Sequence, residues 1–161
     1  MSENTAETPR MTKKQRIALL IAILLTLGFI WGNSLLSREQ SSDESAWVLR
    51  LVTPVLELFV GKGRVTEHLV RKLAHFTEFA LLGFELFFWF SPLRRKGRET
   101  LLLAMAHGLF AALADETLQL FSARGAQLQD VWLDFAGVTA GAAFALIILI
   151  LFQKNKQSNI H

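Results

Sequence analysis

The stretch "RKLAHFTEFALLG", residues 71–83, places a histidine and a glutamate three positions apart inside an otherwise apolar run. Helical spacing keeps His75 and Glu78 on one face, and His68 and Lys72 (or Arg71) extend the same stripe in steps of three and four. Two further segments carry similar groups. "ADETLQLFSARG" supplies Asp115, Glu116, Gln119 and Arg124, with Asp115, Gln119 and Ser122 on a shared face, and "QDVWLDFAG" supplies Asp130 and Asp134. Asn33 and Ser34 stand in "WGNSLLS".

These residue types define a chemistry. The carboxylates of Glu78, Asp115, Glu116, Asp130 and Asp134 offer hard oxygen ligands of the kind that hold Mg²⁺ or Ca²⁺; Asp115, Glu116, Asp130 and Asp134 are the foremost metal candidates. Arg71, Lys72 and Arg124 suit the clamping of a phosphate. His75 is the natural general acid or base, because an imidazole gives and takes protons near neutrality. The candidate catalytic set is therefore His75, Glu78, Asp115, Glu116 and Asp134. Asn33, Ser34, Arg71, Lys72, Gln119, Arg124 and Asp130 form the candidate substrate-binding set. The corresponding reaction is hydrolysis or transfer at a phosphate or acyl centre. Neither H-E-x-x-H nor G-x-S-x-G occurs, which removes support for a zinc protease or a serine hydrolase. Cysteine is absent, so thiolate ligands and disulfides are excluded. Gly61 and Gly63 in "VGKGR" mark a loop rather than a phosphate cradle.

The elements that position these groups are membrane spans. Hydrophobic residues make up 52% of the 161, too many for an ordinary soluble domain, and they cluster in four runs at 17–36, 73–90, 100–121 and 131–152. A helix crosses the hydrocarbon core with about 20 residues, which all four approach or reach. The fold class is all-α: an integral membrane four-helix bundle, flanked by polar tails at 1–16 and 153–161. A cleaved signal peptide is the alternative for the first run, but the run is longer than a usual signal core and no A-x-A site follows.

Basic residues fix the orientation. Arg10, Lys13, Lys14 and Arg16 precede or abut the first run, Arg94, Arg95, Lys96 and Arg98 join the second to the third, and Lys154 and Lys156 follow the fourth. With an even number of spans these clusters share one side, which the positive-inside rule makes cytoplasmic, together with both termini. All the strongly polar segments then lie at the opposite, outer end, lining one outward-facing cleft. In the first outer loop, residues 45–60 are amphipathic and broken by Pro54, which suits an interfacial or re-entrant helix; a fifth span is the alternative. Gly137 and Gly141 follow Asp130 and Asp134 on one face and permit close helix packing. His107 and Glu85 stand apart from the cleft and read as structurally satisfied, Glu85 by Arg94 or Arg95.

Taken together, "FIWGNSLLS", "RKLAHFTEFALLG" and "ALADETLQLFSARGAQLQDVWLDFAGVTAG" resemble the VanZ-like family of small bacterial membrane proteins, over about residues 29–141. The loop between Ser37 and His68 is not matched. The resemblance implies a multi-pass protein of the bacterial cytoplasmic membrane, associated with resistance to teicoplanin, a glycopeptide antibiotic carrying a lipid tail. It carries over onto Asn33, Ser34, Arg71, Lys72, His75, Glu78, Asp115, Glu116, Gln119, Arg124, Asp130, Asp134 and Gly137, and it brings no agreed reaction. Three functions stay open. The first is an enzyme acting on an envelope lipid or lipid-linked wall precursor. The second is a non-catalytic protein that binds such a lipid or the antibiotic. The third is a small carrier, disfavoured by an inner half poor in polar groups and by the lack of an inverted repeat. A purely structural ion-pair network is the plainest alternative, though buried charge pairs rarely stabilise more than apolar packing would. The expected partners are membrane lipids, not nucleic acid.

Overall fold

In hydrocarbon every backbone N–H and C=O must be satisfied within the chain, so a long apolar run has little choice but to be helical. The computed structural model describes residues 11–35, 50–58, 61–91, 97–121 and 127–158, and among them no strand occurs. Four long helices form: α1 (Lys13–Leu35), α3 (Glu67–Phe90), α4 (Gly97–Phe121) and α5 (Leu128–Ser158), with a short helix, α2, at 50–58. All four long helices have the length and apolarity to cross a membrane.

All four begin before their apolar segments, and α5 also runs past the end of its own, with local reasons visible at several ends. The hydroxyl of Thr66 accepts the Leu69 N–H at 3.2 Å and caps α3 well before residue 73. α5 continues through the polar "QKNKQS" beyond residue 152. α1 begins at a reciprocal cap: Gln15 N–H donates to the Thr12 hydroxyl while the Gln15 side chain accepts the Thr12 N–H.

α2 covers the described part of the amphipathic segment expected at 45–60; residues 45–49 and 59–60 lie outside the described residues. Leu51, Val55 and Leu58 recur along one exposed face, the arrangement of a helix lying at an interface. Its end is tied down, since Glu57 accepts the Gly63 N–H at 2.8 Å with its side chain and the Gly61 N–H at 3.0 Å with its carbonyl. Gly61 and Gly63 adopt positive φ (92° and 74°), so the turn leading into α3 uses the conformational freedom of both.

The parallel pair α3 and α5 is the spine of the bundle. A Cβ on Gly83 would run into the Val138 carbonyl, one on Gly141 into the Ala80 carbonyl, and one on Gly137 into the Phe76 carbonyl. Three glycines thus bring the two backbones into contact, as small residues do between membrane helices. α4 joins through Gly108, which seats the Val138 side chain. Ile30, Phe79, Leu82, Phe87, Val138 and Ala142 are buried at the centre, while Leu25, Phe29, Phe110, Phe144 and Phe152 point outward, as residues facing lipid do.

Gly141→Val should therefore weaken the α3–α5 contact by about 1–3 kcal/mol or more, the usual scale of overpacking. An unfolding titration in detergent checks this. Gly28→Val, at a position with open space around it, should cost far less.

Candidate functional site

The spacing of the glycines sets the register, and the register brings the polar segments together at one end. That end comprises the C-terminal turns of α1 and α4 and the N-terminal halves of α3 and α5. Asp115 is fully buried and Asp134 is only 1% exposed. Donor atoms of His75, Asp115 and Asp134, from three helices, all lie within 4.8 Å of one another.

Asp115 is held on both sides. The Ser34 hydroxyl donates to Oδ1 at 2.6 Å and the Gln119 amide donates to Oδ2 at 2.9 Å. Those bonds fix the carboxylate plane, and Ser34 and Gln119 are themselves buried. Asp134 is the opposite case. Among the described residues, neither of its oxygens has a hydrogen-bond partner, nor has the buried Nδ1 of His75. Asp115, Asp130, Glu116 and Glu78 all surround Asp134 closely enough to act on its charge. Glu78 lies beside His75 and Asp115, close to the Asn33 side chain.

The remaining expected site residues are engaged at the edge. Lys72 Nζ lies 3.0 Å from Asp130 Oδ1 in a half-buried ion pair linking α3 to α5. Glu116 accepts the Gln127 N–H and so fastens the C-terminal part of α4 to the start of α5. Arg71 turns along its own helix to Glu67 at 3.6 Å, an i,i+4 pair at the surface that contributes little. Arg124 lies outside the described residues, as does Ser122. Of the four foremost metal candidates, the structure gathers Asp115 and Asp134 around His75, while Asp130 and Glu116 have other partners.

His107 and Glu85 are engaged away from the cluster. His107 Nδ1 lies 2.9 Å from the Leu103 carbonyl, within its own helix as expected. Glu85 accepts the Thr26 hydroxyl at 3.1 Å; Arg94 and Arg95 lie outside the described residues.

Sequence reasoning missed the apolar half of the site. Leu27, Trp31, Leu82, Leu86, Phe110 and Ala114 line much of a crevice of about 360 Å³ between α1, α3 and α4. Trp31 braces it by donating to the Ala111 carbonyl at 3.4 Å. The crevice sits directly beneath the polar cluster, since Ala114 precedes Asp115, Trp31 lies one turn below Ser34 and Leu82 one turn below Glu78. Individually most of these are ordinary span residues; Trp31, in a motif already singled out, and His107, which also lines the crevice, offered a signal.

Fold and site together define a polytopic membrane protein with a buried carboxylate–histidine cluster capping an apolar crevice. The VanZ/LLP1 family model matches residues 18–151, and the chain belongs to that family. Neither curated proteins nor solved structures gave a match.

Ser34→Ala should leave one oxygen of a fully buried carboxylate short of its donor, at a cost of about 1–3 kcal/mol. Lys72→Met, which leaves the half-buried Asp130 without its cation, should cost less. Unfolding midpoints of the two variants in the same detergent give the comparison.

Proposed function

We propose that this protein takes up a cell-envelope lipid or lipid-linked wall precursor from the outer leaflet and modifies its head group. On this reading the bundle lies in the bacterial cytoplasmic membrane with both termini inside and the polar end outward, and the modification alters sensitivity to lipoglycopeptides such as teicoplanin. The observation that carries it is the stacking of a polar cluster on an apolar crevice along the same helices. An amphiphile has that profile: the crevice suits an acyl or isoprenoid chain and the cluster suits the head.

The residues divide the work accordingly. His75, with one buried nitrogen unpartnered, holds or moves a proton at the reacting group. Asp115 is pre-oriented by Ser34 and Gln119 and keeps its geometry as the substrate enters, as a group that positions a reactant must. Asn33 and Glu78 supply hydrogen bonds to the head group. Arg71 and Lys72 stand at the rim, where a phosphate would first be met. Turnover is favoured over passive binding because an imidazole, a proton-transfer group, stands beside two buried carboxylates.

The test compares envelope lipids and wall precursors by mass spectrometry in cells expressing wild type or Asp115→Asn at matched membrane levels. A species formed or depleted only with wild type is expected. Identical profiles, with an antibiotic phenotype still dependent on Asp115, would instead make the protein a binder. Ala114→Leu should narrow the crevice and reduce turnover about tenfold or more without touching the polar cluster, the expected scale for misplacing a substrate.

A further inference from the structure

We infer that His75, Asp115 and Asp134 form a binding site for one divalent transition-metal ion, zinc or manganese. Five carboxylates meet at this end of the bundle (Glu78, Asp115, Glu116, Asp130 and Asp134). Among the described residues, the basic side chains shown nearby are the rim pair, Lys72 bound to Asp130 and Arg71 bound to Glu67. Among the described residues the cluster is thus richer in acidic than in basic groups, a balance that a bound cation offsets.

Acidic crowding alone does not make a site, but Asp134 supplies a second and independent observation. It is 1% exposed, both its oxygens lack a hydrogen-bond partner among the described residues, and it projects into the space shared with His75 and Asp115. A buried carboxylate with no donor is expensive to keep, and a bound cation removes that cost.

Geometry selects the ion. Bonds of about 2.0–2.2 Å place two ligands of a tetrahedral ion roughly 3.5 Å apart. Donor atoms already within 4.8 Å need only small side-chain adjustments to reach that spacing. One imidazole nitrogen with two carboxylates suits zinc or manganese better than the all-oxygen shells of magnesium and calcium. Three protein ligands also leave a coordination position open. Ser34 and Gln119 orient Asp115, as hydrogen-bond partners of metal-binding carboxylates do.

The inference concerns the cluster of the proposed function, yet it stands or falls separately, because metal binding is measured with no lipid substrate present. The full chain, purified in detergent and stripped with a chelator, is titrated with Zn²⁺ and with Mn²⁺. Bound metal is counted by elemental analysis and affinity is read by calorimetry. One ion per chain is expected. Asp134→Asn and His75→Gln should weaken binding about 100-fold or more, and Gln119→Ala about 10–100-fold, the range typical of groups that support a ligand. Glu85→Gln, distant from the cluster, should bind as wild type does.

Thermal midpoints separate loss of a ligand from loss of fold. Metal should raise the midpoint of wild type and leave that of Asp134→Asn unmoved. Without metal, Asp134→Asn should melt no lower than wild type, because an amide of the same shape replaces a buried carboxyl group that has no hydrogen-bond partner among the described residues. The inference is overturned if wild type binds neither ion. It is equally overturned if binding survives in both Asp134→Asn and His75→Gln, if only Mg²⁺ or Ca²⁺ binds, or if metal-free Asp134→Asn melts well below wild type.

Discussion

Carboxylates placed where water is scarce dominate this structure. A charge in that setting is tolerated only when paired, hydrogen-bonded or close to a counter-charge. Each acidic side chain at the polar end shows a different response. Asp115 takes two donors from Ser34 and Gln119, Asp130 takes the ammonium of Lys72, Glu116 takes the Gln127 N–H, and Glu78 lies beside His75. Among the described residues, Asp134 has no hydrogen-bond partner. A bundle selected only for stability would have replaced that residue with an apolar one of similar volume, since unsatisfied buried polar groups destabilise. Its presence is the strongest sign that the cluster is completed by something other than protein.

The cluster in turn depends on apolar contacts below it. His75 and Asp134 face one another because α3 and α5 run parallel with their backbones touching at Gly83, Gly137 and Gly141. Wider spacing would separate the donors of the two helices and admit lipid or water between them. The same close contact leaves the space on the other side of α3 open, between it, α1 and α4, where the crevice lies. Packing and site are therefore consequences of one set of small residues, and a change to the glycines would disturb both.

Much of this was legible in the sequence, and what was not has physical causes. The four spans follow from apolar runs too long for anything but helices in lipid, and the convergence of the polar segments at one end follows from their alternating direction. Close packing through Gly137 and Gly141 could be read from their spacing, but its partner could not: Gly83 carries no mark distinguishing it from any other glycine. Partner choice among the charges was also hidden, because it depends on register. Arg71 found Glu67 on its own helix, and Glu116 found a backbone N–H instead of a ligand. His75 was assigned to proton transfer, whereas its position beside two aspartates equally makes it a ligand. The crevice was invisible because Leu27, Ala111 and Ala114 are what any membrane helix contains.

The central claim, that an amphiphile seats its chain in the crevice and its head in the cluster, has a direct measurement. A photoreactive amino acid placed at Ala114 and irradiated in living cells labels whatever occupies the crevice, and mass spectrometry of the adduct identifies it. One envelope lipid or lipid-linked precursor, enriched well above its share of the membrane and altered in yield by Asp115→Asn, is the result this account predicts. Adducts that merely mirror bulk membrane composition, indifferent to Asp115, would contradict it.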